Sequence, residues 1–126
     1  MCSSDLWRSV AAETFGAARD RGRLEAQLAD LDGRVAVQTL QALQRLVPDS
    51  DSTLSPRART LLRHPDAAVR SVAADLLARH PVVEDVDRLA DAYVRAATDT
   101  FDDARLSAVA ALAAIAERRE IGRAHV

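Results

Sequence analysis

One eight-residue pattern recurs along this 126-residue chain. Residues 70–77 read RSVAADLL, and the segments that begin at Arg8, Ala36 and Arg105 repeat its arrangement of apolar and polar positions. The four starting points are separated by 28, 34 and 35 residues. A recurrence near this length, built on helical patterns, is typical of helix pairs that stack on one another. We therefore predict an all-α fold, a right-handed α-solenoid of antiparallel helix pairs with about seven helices.

The composition suits long, closely packed helices. Apolar residues make up 48% of the chain but aromatic residues only 3%, and alanine, the best helix former, is abundant. The 17 basic and 19 acidic residues nearly cancel, which argues against a chain-wide attraction to nucleic acid or to an anionic membrane. All the basic residues are arginine, and lysine and asparagine do not occur, which favours a high-GC, bacterial source genome.

The two ends of the chain resemble translated sequencing-adapter DNA rather than natural protein. Residues 1–6 (MCSSDL) and 120–126 (EIGRAHV) correspond to the complementary strands of one adapter. We therefore expect residues 7–119 to be the biological segment of a longer protein, flanked by non-native tails. On this interpretation Cys2, the only cysteine, says nothing about redox chemistry, and the localisation stays open. The ends of the helical stack should then expose apolar surface.

Apolar periodicity and helix-breaking residues divide the biological segment into seven predicted helices. They cover about 4–20, 24–31, 34–47, 55–62, 66–80, 86–97 and 102–118. Ser55 is expected to cap the fourth of these helices, with Pro56 in its first turn.

The positions expected to be buried follow the i, i+3, i+4, i+7 spacing of one apolar stripe per helix. In the helix over 66–80 these positions are Val69, Val72, Ala73, Leu76 and Leu77. The last two helices should bury the following apolar residues: Val86, Leu89, Ala90, Tyr93, Val94, Ala97, Leu106, Val109, Ala110, Leu112, Ala113 and Ile115.

Residues 61–77, LLRHPDAAVRSVAADLL, resemble a HEAT repeat of the short bacterial kind, which belongs to the armadillo-like helical class. The matching positions, shared between two helices and the turn that joins them, are Leu62, Pro65, Asp66, Val69, Arg70, Ala73 and Leu77. The neighbouring units depart from the pattern, since Ala36 replaces its arginine and Ala104 replaces its valine. The resemblance covers nearly all of residues 7–119. It implies a stacked helical scaffold and no particular partner.

The sequence offers few groups that could converge for catalysis or metal binding. His64 and His80 each precede a proline at a helix end, and further ligands at metal-binding spacing are missing. We expect both histidines to interact with loop carbonyls and with the helix dipole. The carboxylate pairs at 84–85 and 102–103 lie at expected helix starts, where acids favour the N-terminal dipole. We therefore predict no catalytic, cofactor-binding or metal-binding residues, and no cofactor.

The hypothesis that follows is a non-catalytic protein–protein interaction scaffold, a HEAT-repeat segment of a larger bacterial protein. Its partner would be another protein or another domain of the parent chain, with neither nucleic acid nor membrane expected. The oligomeric state stays open. The second helix of each pair should form the binding surface of such a stack. The exposed candidates on that surface are Arg34, Gln38, Gln41, Arg45, Arg70, Asp75 and Arg79.

Alternatives stay open at two levels. Arg70 and Arg105 share the arginine position of the repeat, and they would either pair with a carboxylate such as Asp66 or Asp103 or face an acidic partner. The segment could instead be the accessory arm of a multidomain enzyme such as a cyclophilin-type peptidyl-prolyl isomerase. It could also be a HEAT-like lyase or DNA glycosylase. The near-neutral charge and scarce aromatic residues argue against a glycosylase groove.

Overall fold

The computed structural model describes Arg21, Leu24, Glu25, Leu28 and residues 32–47 and 51–124, with side chains up to residue 119. The chain divides into two compact units, Met1–Asp51 and Ser52–Val126. Every regular element within the described ranges is helical, and those ranges contain no strand, as predicted. The predicted first helix and the tail at 1–6 lie outside the described residues.

In the first unit, helix α1 (Gly33–Leu46) begins where the sequence predicts a turn. The side chain of Asp32 caps it by accepting a hydrogen bond from the backbone N–H of Val35 at 3.1 Å. The helix ends at Leu46, and Val47, which follows it, has the extended backbone favoured before a proline. The helix buries one stripe, which comprises Val35, Ala36, Thr39, Leu40, Ala42 and Leu43.

The second unit contains four α-helices. They are α2 (Ser55–Leu61), α3 (Ala67–Arg79), α4 (Val86–Arg95) and α5 (Asp103–Ala124). Single turns of 3-10 helix at Val83–Asp85 and Ala96–Thr98 flank α4. Helix α3 packs against α2 and α5, and α5 also packs against α4. Two helix pairs, α2–α3 and α4–α5, therefore meet through α3 and α5.

The start of α3 follows from its sequence, whereas the start of α2 does not. The carboxylate of Asp66 accepts the backbone N–H of Ala68 at 2.9 Å and caps α3. The prediction that Ser55 caps α2 is wrong, because the backbone of Leu54 is already helical and occupies the cap position. Ser55 is instead the first helical residue, and its buried hydroxyl makes no hydrogen bond.

Helix α3 supplies the centre of the second unit's core. Val69, Ala73, Leu76 and Leu77 are all buried, which confirms their predicted positions. The prediction is wrong for Val72, which is only partly buried. Ala74 is buried in addition, because α3 is covered on two sides by α2 and α5.

The predicted stripes of the last two helices are mostly wrong. Of the residues expected inside, Leu89 and Ile115 are buried and Leu112 is partly buried, while the others are exposed. The buried positions are mainly alanines, namely Ala92 and Ala96 on one side and Ala104, Ala108 and Ala111 on the other. Small side chains let α5 approach two neighbouring helices closely, so packing places the alanines inside and leaves larger apolar residues outside.

Candidate functional site

The most deeply buried charge among the described residues is the carboxylate of Asp85, which is 1% exposed. Arg59 of α2 donates to both of its oxygens, with Nε at 2.6 Å and Nη2 at 3.2 Å. These hydrogen bonds raise the pKa of Arg59 above its ordinary value. A second guanidinium, from Arg88, lies 3.7 Å from the same carboxylate. Asp85 thus joins the start of α4 to α2, and both of its oxygens are engaged.

The sequence hypothesis placed Asp85 at a helix start and missed its burial. A signal was present, since Asp85, Leu89, Ala92 and Ala96 follow helical spacing and are all buried. An aspartate in phase with a buried stripe indicates a paired carboxylate, because an isolated buried charge is too costly. Its partner Arg59 is 26 residues earlier, so local spacing could not reveal it.

A cleft of about 630 Å³ lies beside this ion pair, between α2 and α4. It is lined by Pro56, Arg59, Thr60, Leu62, Arg63, Asp87, Arg88, Asp91 and Ala92. Asp91 accepts from Arg95 at 2.8 Å and lies 3.6 Å from Arg63. Groups of both signs therefore line the cleft, so its walls do not concentrate one sign of charge for an ionic substrate.

Arg70, one of the candidate surface residues, is committed to an internal ion pair. Its Nη1 and Nη2 donate to the two oxygens of Asp99 at 3.0 and 2.9 Å, and both side chains are 12% exposed. Of the two alternatives, pairing with a carboxylate holds for Arg70, but the partner is Asp99 rather than Asp66 or Asp103. Asp66 caps α3 instead, and the pair ties α3 to the connection before α5. Arg70 is therefore a poor contact point for another molecule.

Arg105 occupies the same repeat position but has a different environment. It lies 3.3 Å from Asp102, and its guanidinium is 5.9 Å from the centroid of the Tyr93 ring. Both members of the ion pair are solvent-accessible, with side chains 38% and 67% exposed. An exposed pair of this kind adds little stability, so Arg105 can exchange its partner at small cost.

Other polar groups that the sequence singled out have local structural roles. Nδ1 of His64 accepts the backbone N–H of Asp66 at 3.0 Å, within the turn between α2 and α3. His80 is the residue that follows α3, and its backbone N–H donates to Leu77. The hydroxyls of Ser71 and Ser107 lie 2.8 Å apart, where each faces another hydroxyl rather than a base. The described part of the chain contains no cluster of side chains suited to a metal ion.

The remaining candidate surface residues divide between the two units. In the first unit Arg34 and Arg45 are exposed, whereas Gln38 and Gln41 are partly buried. In the second unit Asp75 and Arg79 are exposed, one turn apart on α3. Apart from Ala68 in its first turn, Asp75 and Arg79 are the exposed residues of α3, so they form the most accessible charged pair on this helix.

A second accessible surface lies on the last helix pair, where apolar surface was expected at the end of the stack but these residues were predicted to be buried. Two exposed apolar stripes run along α4 and α5, and Phe101 lies exposed in the connection between these helices. We call these residues the apolar face: Val86, Ala90, Tyr93, Val94, Ala97, Phe101, Leu106, Val109, Ala110 and Ala113. Val94, Phe101 and Leu106 are 68%, 73% and 64% exposed. Exposed apolar residues at helical spacing mark a surface suited to association with another protein.

Comparisons with known proteins do not identify the chain. No family model, curated protein or solved structure matches it. Within the described residues, none of the helices combines the length and the apolar character required to span a bilayer.

Proposed function

We propose that this chain is a non-catalytic scaffold for protein–protein interaction, built from HEAT-like helix pairs and belonging to a larger bacterial protein. The observation that carries the proposal is the packing of α3 against α5, the second helices of two successive pairs. Its partner would be another protein or another domain of the parent chain.

The contacts between α3 and α5 support a repeating arrangement. Ser71 meets Ser107 across the two helices, at a separation of 36 residues. This separation is close to the 35 residues between Arg70 and Arg105 that the sequence recurrence defines. A stack that repeats in this way extends a surface instead of enclosing a pocket, which favours binding over catalysis.

The outward side of α3 is the proposed binding surface within the second unit. Asp75 and Arg79 are exposed there and have opposite charges. A surface of mixed charge suits a protein partner that carries complementary side chains, whereas a nucleic acid would require a basic stripe.

Photocrosslinking from the proposed surface tests this function. A photoreactive amino acid at position 75 should give a discrete crosslinked protein in a high-GC bacterial host. The same group at position 57 serves as the control, because Arg57 is also exposed but lies on α2. The charge-reversed variant Asp75→Arg/Arg79→Glu should then weaken binding of the purified partner by about tenfold or more.

Two results would count against the scaffold proposal. One is an identical set of crosslinked proteins from positions 75 and 57, which would indicate unspecific encounters. The other is an unchanged affinity of the purified partner for the charge-reversed variant, which would exclude the outward side of α3 as the binding surface.

A further inference from the structure

The two helix pairs of the second unit are related by a nearly constant shift along the sequence. Three buried positions in and directly after α2 recur as buried positions 34 residues later: Ser55 as Leu89, Ala58 as Ala92 and Leu62 as Ala96. Three buried positions of α3 recur as buried positions 35 residues later in α5: Val69 as Ala104, Ala73 as Ala108 and Leu76 as Ala111. The residues of the first pair therefore have defined equivalents in the second pair.

The side of α2 that faces α4 is equivalent to the exposed apolar stripe of α4 and the turn after it. The accessible residues of the α2 segment that line the cleft between α2 and α4 are Pro56, Arg59, Thr60 and Arg63. The residues 34 positions later are Ala90, Tyr93, Val94 and Ala97, and all four are exposed. The open stripe of α4 therefore corresponds to the side on which α2 meets the next helix pair.

The same relation holds between the second helices of the two pairs. Ser71 of α3 contacts Ser107 of α5, and Ala74, one turn after Ser71, is buried. Their equivalents 35 positions later are Leu106 and Val109, which are 64% and 45% exposed. Both open stripes therefore correspond to the side on which the first pair receives its neighbour, and a further pair that repeats the arrangement would stack there.

The environment of Arg105 indicates one charge that a further pair would bring. Its equivalent, Arg70, donates to both oxygens of Asp99, which lies 29 residues later in the connection between α4 and α5. Arg105 lies 3.3 Å from Asp102, and its side chain is 38% exposed, compared with 12% for Arg70. A carboxylate in the connection of a further pair would pair with Arg105 as Asp99 pairs with Arg70.

The open stripe of α4 indicates where the further pair would differ from the second pair. Arg59 of α2 donates to the buried carboxylate of Asp85, but the equivalent of Arg59 on α4 is the aromatic residue Tyr93. A carboxylate buried at the equivalent position against Tyr93 would lose its water without the bidentate donor that Asp85 has. The first helix of the further pair should therefore begin with an apolar residue in place of Asp85.

We propose that the apolar face binds a third helix pair of the same kind, with an apolar residue at the start of its first helix and a carboxylate in its connection. The first helix of this third pair covers Tyr93 and Val94, the second covers Leu106 and Val109, and the carboxylate accepts from Arg105. This inference rests on the proposed scaffold function, because it identifies the neighbouring unit of the stack. It uses a different surface from the outward side of α3, so the two proposals can fail separately.

A third pair added to the chain itself tests the proposal. Residues 1–115 are followed directly by a second copy of residues 81–119, which keeps the spacing of 35 residues, and the copy carries Asp85→Leu but retains Asp99. With Cys2→Ser as background, the variants Val94→Cys and Val109→Cys of the original segment report the accessibility of the apolar face through their rates of reaction with a maleimide.

Both reaction rates should be at least about tenfold lower in the extended chain than in the original chain, because the added pair covers the two thiols. Ala68→Cys is the matched control, since Ala68 is exposed on α3 in the first pair. Its reaction rate should be the same in the original and the extended chain.

Charge exchange tests the contact of Arg105 separately. In the extended chain, Asp99→Arg in the copy should raise the reaction rate of Val109→Cys about fivefold or more, because two guanidinium groups then meet. Adding Arg105→Asp in the original segment should restore the protection, since opposite charges face each other again. Protection that is lost with Asp99→Arg and not restored by Arg105→Asp would refute the role given to Arg105.

Two outcomes would overturn the whole proposal. The cysteines at 94 and 109 could react as fast in the extended chain as in the original chain; since docking is what folds the added pair, added residues that stay unfolded count against the proposal equally. The original chain could instead show the same protection when it is concentrated to about 100 μM, which would assign the apolar face to a second copy. A partner crosslinked specifically at position 75 would leave the scaffold function standing in either case.

Discussion

Replacing Leu77 with alanine is expected to lower the free energy of unfolding by about 2–5 kcal/mol. Leu77 is 1% exposed at the centre of α3, the helix that packs against both α2 and α5. The substitution removes buried apolar atoms and leaves a cavity that the neighbouring helices can close only in part. Denaturant titration followed by circular dichroism measures this loss.

Leu106→Ala is the matched control for that measurement. It makes the same chemical change on α5, but Leu106 points to solvent in the isolated chain. Its effect on the free energy of unfolding should stay within about 0.5 kcal/mol. Equal losses for the two variants would mean that the helices do not bury the side chains described here.

Replacing Arg59 with methionine is expected to cost about 3 kcal/mol. The variant leaves the carboxylate of Asp85 buried without its bidentate partner, and only Arg88 remains near it at 3.7 Å. Arg88→Met is the control, because Arg88 is largely exposed and its loss should cost less than about 1 kcal/mol. Chemical denaturation of both variants provides the comparison.

Two further measurements on the Arg59–Asp85 ion pair extend this test: the pH dependence of the stability lost in Arg59→Met, and the stability of a double variant. Because the pKa of Arg59 is raised, its contribution is fully present below the ordinary value and is lost only as the pH rises through the folded value. The deficit of Arg59→Met should therefore stay constant between about pH 6 and pH 9. The double variant Arg59→Met/Asp85→Leu should recover much of the loss, since no unpaired charge remains. A double variant as unstable as the single one would refute the role given to Asp85.

Sequence patterns predicted the positions of the helices better than they predicted which side of each helix is buried. Asp32 and Asp66 mark true helix starts because a capping aspartate acts through neighbouring backbone N–H groups. Periodicity also located α3 and its core. It failed for α4 and α5 because each has two apolar stripes, and periodicity favoured the larger residues. The alanines are buried instead, because their small side chains let the helices pack closely.

The ion pairs that decide which side chains stay accessible join residues far apart in the sequence. The type of partner could be predicted for such a pair, but not the residue. A carboxylate partner for Arg70 was foreseen, but Asp99 lies 29 residues away, in a connection that no local rule ties to α3. The same holds for Arg59 and Asp85. Once Arg70 is removed from the candidate surface, Asp75 and Arg79 remain as the exposed pair of α3.

The register between α3 and α5 underlies the buried alanines, the proposed stack and the open apolar face, and a disulfide tests it directly. With Cys2→Ser as background, Ser71→Cys/Ser107→Cys should oxidise rapidly to an intramolecular disulfide, because the two hydroxyl oxygens lie 2.8 Å apart. The control pair Ser71→Cys/Leu106→Cys should remain reduced, since Leu106 points away from α3. Mass spectrometry after mild oxidation shows whether each cysteine pair has formed a disulfide. Crosslinking of the 71–106 pair with none for the 71–107 pair would contradict this register and the surfaces that follow from it.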